Sequence, residues 1–259
     1  MLLSIVTPSL NRSIFLKKKL KQIKLVKKNF NEFEWILVIE KKDKSTIKYS
    51  KKIREKYVKV LIGEFGSAEN AFSSGVLKAK GKYVNFHGDD DFFDMKKFKF
   101  LKKNLFLKKY EWFIFNGKYI DENFYIIRKF ITIIKKFLLN NFGLIDLSYV
   151  NYIMTPSVFI RKDICLKLGS LGKFHQPGSD YFLWMKLNNM YKPKIYKQNL
   201  TLSMITKKTI TGNFNLKKYV TISKKMITNN KFGLLGKILI TASTLTIIAY
   251  NFIFKKIIN

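Results

Sequence analysis

The sequence predicts an α/β protein built on a mainly parallel sheet flanked by helices. Two observations carry that prediction. Short apolar runs alternate with stretches of helical apolar spacing through the first third of the chain, the pattern of a parallel sheet covered by helices on both faces. The 259 residues are also 47% hydrophobic and 15% aromatic, enough for a substantial core and incompatible with disorder.

Residues 3–7, LSIVT, form the first strand, closed by Pro8 and the turn-like SLNR. Residues 14–30 place Leu16, Leu20, Ile23 and Val26 near helical spacing with lysines between, which predicts a helix. EWILVIE (34–40) is a second buried strand, followed by polar KKDKST, a basic helix over 45–57 and a third strand, VKVLIG (58–63). AENAFSSGVLKAKG (68–81) reads as a helix closed by Gly81, and KYVNFHG as the fourth strand. Ligands in such sheets sit at the carboxyl ends of the strands. The loops after strands one and two, and the acidic run after strand four, therefore share the binding edge.

The second half is less regular. EWFIFNGKYIDEN (111–123) suggests a strand and turn, and 124–139 a basic, apolar helix. TPSVFIRKDICLKLGSLGKF (155–174) reads as a strand leading into a helix that Gly169 ends. SDYFLWMKL (179–187) starts another, with Ser179 as its N-cap. No repeat or low-complexity linker interrupts the chain, so one compact unit is expected over 1–210, with a tail over 211–259.

Fifty Lys and Arg against 17 Asp and Glu give a net charge of +33. Lys, Asn, Ile and Phe are over-used together, so compositional bias accounts for much of the excess. Such a surface still attracts nucleic acid, acidic headgroups or phosphorylated substrates. Cys165 stands alone, which rules out an internal disulfide and fits a reducing compartment. MLLSIVTPSL has no basic leader, so no signal peptide is expected and the chain is read as intracellular. In the tail, Ile238 to Phe254 carries no charge and is flanked by Lys237, Lys255 and Lys256. It is shorter than the about 20 residues of a usual span. A docked helix, an interfacial helix and a marginal span compete, and its basic flanks favour attachment to an anionic membrane surface.

YVNFHGDDDFF (83–93) sets Asp89, Asp90 and Asp91 side by side at the end of the fourth strand. Adjacent carboxylates repel unless a cation or donors neutralise them. Mg²⁺ or Mn²⁺ takes carboxylate oxygens and shares its shell with substrate phosphates. The alternative is an acidic turn capping a helix near Phe92–Leu101. The position at the carboxyl edge of the sheet favours the metal. There is no Cys/His cluster for zinc and no phosphate loop of the P-loop type.

LSIVTPSLNR, EWILVIE, SGVLKAKGKYVNFHGDDDFF and TPSVFIRKDICLKLGSLGKF…SDYFLWMKL follow in one order over residues 2–190. In these blocks the chain resembles glycosyltransferase family 2, most of all its bacterial members that assemble surface polysaccharides such as lipopolysaccharide and capsule. The resemblance implies the GT-A fold, a nucleotide-binding α/β sandwich with a nucleotide-sugar half (1–110) and an acceptor half (111–210). It implies transfer of a sugar from a nucleotide-diphosphate donor to a saccharide or lipid-linked acceptor, with inversion at the anomeric carbon, on the cytoplasmic side of the membrane.

By that resemblance Thr7, Pro8 and Asn11 line the base pocket, and Glu40 or Asp43 reads the base. The family usually has Asp-Gly-Ser where this chain has EKKDKST, which leaves the base open. Ser73, ahead of Gly75, takes the place of an Asn, and Asn70 stands where an acid is common; both positions also suit a plain helix surface. Asp90 matches the acid that completes the metal-binding run, with Asp89 and Asp91 as helpers and Gly88 in the usual first acid's place. Mn²⁺ or Mg²⁺ is the implied cofactor, and Asp180 the implied base. Alone, a carboxylate at a helix start is an ordinary dipole-stabilising residue.

Of the two histidines, His87 suits core packing and His175 lies near Asp180; Arg161 and Lys162 suit a solvated basic surface. Two other classes compete: an inactive, basic membrane- or nucleic-acid-binding protein on the same fold, and a sugar nucleotidyltransferase. No nucleic-acid reading module is present, and TPSLNR is not the Gly-rich basic loop that a nucleotidyltransferase needs.

Overall fold

The computed structural model describes residues 1–104, 110–121, 126–127, 151, 153–174 and 178–204, with isolated positions at 132, 133, 136, 137, 140, 241 and 245. Its first half alternates as the sequence predicts: β1 (Leu3–Ser9), α1 (Ser13–Asn29), β2 (Phe33–Glu40), α2 (Lys44–Ser50), β3 (Val58–Gly63), α3 (Ala68–Lys78) and β4 (Tyr83–Phe86). The second half adds β5 (Phe92–Phe93), α4 (Met95–Asn104), β6 (Trp112–Ile120), β7 (Ile126–Ile127), β8 (Val158–Arg161), α5 (Lys162–Lys167), α6 (Ser179–Met190) and β9 (Lys194–Met204).

The nine described strands join one mixed sheet in the order β3-β2-β1-β4-β8-β6-β9-β5, with β7 on β6. The run β3-β2-β1-β4 is parallel, with Val6 opposite Ile36 on one side and Phe86 on the other. Strand β8 enters antiparallel between β4 and β6, and β9 returns parallel to β6. This second half is where the strand–helix rhythm of the sequence breaks down.

Alternating side chains divide the core between the two faces. Leu3, Ile5, Trp35, Leu37 and Ile39 pack with Leu16, Ile23 and Val26 of α1 and Phe98 and Leu101 of α4. Val6, Ile36, Val38, Val84 and Phe86 pack with Val76 of α3, Ile164 and Cys165 of α5 and Trp184 of α6. Strands covered on both sides read as continuous apolar runs, which is why β2 is buried from Phe33 to Ile39.

Several expected boundaries move. The helix expected over 45–57 stops at Ser50, and Tyr57 stands just before β3, its carbonyl accepting from Trp35 N at 2.8 Å. The helix expected to close at Gly81 ends at Lys78. Gly81 instead lets the chain cross β1, where a Cβ would lie 2.5 Å from Ser4 N. The N-cap of α6 is Gly178, at φ 88°, rather than Ser179. Gly169, also at φ 88°, follows the end of α5 as expected. Within 124–139, residues 126–127 are strand rather than helix, and the described positions from 132 to 140 are helical. His175 and nearly all of 211–259, including 238–254 apart from positions 241 and 245, lie outside the described residues. Among those described, no helix is long and apolar enough to cross a membrane.

Candidate active site

The carboxyl ends of β1 to β4 open onto one cavity of about 860 Å³, in the size range of small-molecule sites. Pro8, Glu40, Asp89 and Asp90 line it from the parallel half; Thr155 and Asp180 line it from the other side.

The acid turn follows β4. Asp91 closes it, one oxygen accepting from Gly88 N at 3.0 Å and the other from the Ser203 hydroxyl at 2.7 Å. Gly88 is the residue this turn admits, since a Cβ there would sit 2.7 Å from an Asp90 oxygen and 2.9 Å from one of Asp91. Asp89 accepts from the Ser9 hydroxyl at 2.9 Å. A single guanidinium nitrogen, Nη1 of Arg12, contacts Asp89 at 3.0 Å and Asp90 at 2.7 Å. Burial and the neighbouring Asp90 push both Asp89 and Asp91 up to about 6; Arg12 opposes this at Asp89, and Lys19 at Asp91. Arg12 itself resists the cost of burial because Asp89 and Asp90 hold its charge. The helix-capping alternative falls to Asp94, whose side chain accepts from Lys96 N at the start of α4.

Beneath the turn lies a buried cationic layer. Lys19 points inward from the apolar stripe of α1, donating to the Asp91 carbonyl and lying 2.8 Å from Nδ1 of His87. Burial pulls Lys19 down to about 8, and Lys97 of α4, also fully buried, down to about 7. His87 is fully buried against Phe93, and burial followed by the two lysines keeps it well below its usual range.

Asp180 sits in the first turn of α6, where the Thr155 hydroxyl donates to Oδ2 at 2.6 Å and Tyr181 N to Oδ1 at 2.8 Å. Glu40 lines the cavity and accepts from the backbone of Phe65 and Gly66. Asp43 is buried and occupied: it caps α2 by accepting from Thr46 N at 3.0 Å, and it accepts from Asn11 N at 2.6 Å. Asn11 holds a left-handed turn at φ 56°. The Thr7 hydroxyl accepts from Trp35 Nε1, and Ser73 Oγ accepts from Gly172 N, so both tie elements together outside the cavity lining. Asn70 donates to the Phe65 carbonyl. Arg161 pairs with Asp163 away from the cavity.

The structure thus brings Pro8, Glu40, Asp89, Asp90, Asp91 and Asp180 around one space. It also adds Ser9, Arg12, Lys19, Thr155 and Ser203, which sequence reasoning did not single out. A lysine on the buried stripe of α1, at an i+3 step from Leu16, was a legible signal; Ser203, 112 residues from Asp91, had none.

Whether these residues suit a divalent ion follows from where the carboxylates point. Among the described residues no three His, Cys, Asp or Glu side chains converge on one point. Asp89 and Asp90 do converge on Nη1 of Arg12. Mg²⁺ sites commonly use one or two carboxylates plus substrate phosphates, so this pair fits such an ion, with Asp91 left to shape the turn.

No family model and no curated protein matches the sequence. Solved structures do match. S. aureus TarS 1-349 in complex with UDP-GlcNAc is 17% identical, with a TM-score of 0.65 over 95% of this chain and 72% of that one. The mannosyltransferase PcManGT from Pyrobaculum calidifontis, in complex with GDP-Man and Mn²⁺, is 11% identical, with a TM-score of 0.65 over 93% and 68%. At such identities the likeness concerns architecture. The chain has the GT-A type fold of these glycosyltransferases.

Proposed function

We propose that the protein is a metal-dependent, inverting glycosyltransferase of family 2 type, taking a nucleotide-diphosphate sugar as donor. One observation carries this reading: the acid turn and Asp180 come from distant parts of the chain yet face the same cavity. The donor would lie over β1 and β2, with Glu40 and Pro8 beside the base and Asp89 and Asp90 beneath the diphosphate. Asp89 and Asp90 would hold Mn²⁺ or Mg²⁺, which when bound neutralises charge on the departing nucleoside diphosphate.

Asp180 takes the proton from the acceptor hydroxyl as that oxygen attacks the anomeric carbon. The bond to the diphosphate breaks on the opposite side, and the nucleoside diphosphate leaves with the bonding electrons. The Thr155 hydroxyl, donating to Oδ2, would hold the carboxylate in place beside the acceptor. Leu10 lines the cavity and is exposed, and Ile14 in the first turn of α1 is exposed as well. This apolar rim supports a lipid-linked acceptor, as in the synthesis of bacterial lipopolysaccharide or capsule, at the cytoplasmic face of the membrane. The tail 211–259 would bring the 1–210 unit to that surface.

The test is a panel of nucleotide sugars, beginning with UDP-GlcNAc and GDP-Man, with and without Mn²⁺, scored for nucleoside diphosphate release. Asp180→Asn is expected to cut turnover by about 10²-fold or more while donor affinity changes little. Full activity in that variant removes Asp180 from the mechanism. Absence of binding and release with every donor would favour the inactive, basic membrane-binding reading of the fold.

A further inference from the structure

Arg12 stands where it decides how readily a cation reaches the acid turn. It is the residue before α1, and its backbone follows the left-handed turn at Asn11, whose N–H the buried Asp43 carboxylate holds at 2.6 Å. The loop is therefore pinned from the β2 side, and the guanidinium projects across the cavity wall to the turn after β4. There Nη1 bridges Oδ1 of Asp89 and Oδ2 of Asp90. A fork-to-fork pair would set two nitrogens on one carboxylate. One nitrogen shared by two different carboxylates instead occupies the position of a bridging cation. Asp89 is almost fully buried and has little water to screen it, so this positive charge is a main offset to its repulsion with Asp90.

A divalent ion bound through the same two oxygens would lie about 2 Å from each. That position overlaps Nη1, and the two like charges exclude one another. Asp91 offers no second seat, because both its oxygens are committed to Gly88 N and Ser203.

We propose that Arg12 is a resident counter-ion that competes with the divalent cation for Asp89 and Asp90 and so sets the affinity of the site for metal. This rests on the donor-site reading above and deepens it. Ion entry requires the guanidinium to swing off the pair, and oxygens from a donor diphosphate would supply the compensation that the turn alone lacks. Metal binding is thereby coupled to donor binding.

The experiment is titration of the full-length protein with Mn²⁺ in the absence of nucleotide, read by the electron paramagnetic resonance signal of free aquo-Mn²⁺. Arg12→Met and Arg12→Gln are each expected to bind Mn²⁺ about tenfold tighter than the parent, since removing a unit charge from contact with one buried and one partly buried carboxylate is worth about one decade. Adding Asp90→Asn to either is expected to abolish the gain. Circular dichroism and thermal melting identify a misfolded variant, and the two substitutions differ enough in shape that one can stand for the other. Equal or weaker Mn²⁺ binding in a folded Arg12 variant overturns the proposal. So does the absence of Mn²⁺ binding in the parent and both variants. Neither result depends on which sugar is transferred, so a failure of the donor panel leaves the titration interpretable.

Discussion

At the scale of single residues, the site is a stack of opposite charges. The three carboxylates of the acid turn line the cavity, one arginine bridges two of them, and two lysines with a neutral histidine lie underneath. Lys97 is the most exactingly placed of these. It is fully buried, lies over the Phe159 ring, and donates to the Pro156 carbonyl at 3.3 Å. Burial brings it down to about 7 from 10.5. Between those values the unfolded chain holds a proton that the folded chain has released, so this lysine's contribution to stability rises with pH from about 7 upward. Below 7 both states are charged and the cost of burying the ammonium is at its greatest. Lys97→Met should therefore stabilise the protein more at pH 6 than at pH 9, the difference being on the order of 2 kcal/mol. Urea denaturation at the two pH values measures it, and an equal gain at both would show that the folded protein keeps this lysine protonated up to pH 9, so that burial does not depress it.

At the scale of elements, the site depends on how closely α3 approaches β1 and β2. Gly75 permits that contact: a Cβ at this position would lie 2.3 Å from Cγ1 of Val6 and 3.2 Å from Cγ2 of Val38. Gly75→Ala gains helix propensity but overpacks the interface, with a net loss of about 1–2 kcal/mol expected from the two opposing effects. Val6→Ala in the same chain makes room for the new methyl, so the double variant should lose less than the sum of the two singles. Strict additivity in urea midpoints would exclude the contact as the cause. The same scale shows where sequence patterns carried and where they did not. Leu16, Ile23 and Val26 mark the buried face of α1 by periodicity alone, whereas β5 has two residues and earns its place only by pairing with β9. A two-residue strand has no period to read.

At the scale of the whole molecule, the last described strand ends at Met204, ahead of the proposed tail. Exposed lysines also cover the helical side formed by α1 and α4, among them Lys17, Lys21, Lys24, Lys96 and Lys99. Both features suit an anionic surface, and vesicle sedimentation separates them. The full chain is expected to sediment with vesicles containing phosphatidylglycerol at low salt, and less at high salt because exposed charges are screened. A chain ending at residue 210 should remain largely in the supernatant. Equal sedimentation of both would assign the membrane contact to the lysine-covered helices and remove the tail as an anchor.

By itself the sequence determined the α/β alternation of the first half, the carboxyl edge onto which the cavity opens, and the acid turn at the end of β4, because local periodicity and strand order are written in neighbouring residues. Tertiary structure alone decided that Asp43 caps a helix while Glu40 lines the cavity, that Asp91 bonds to Ser203, and that Arg12 bridges Asp89 and Asp90. Each of those outcomes depends on which side chains meet across the sheet edge. Carboxylates of the same kind then take different roles according to the donors that folding brings to them.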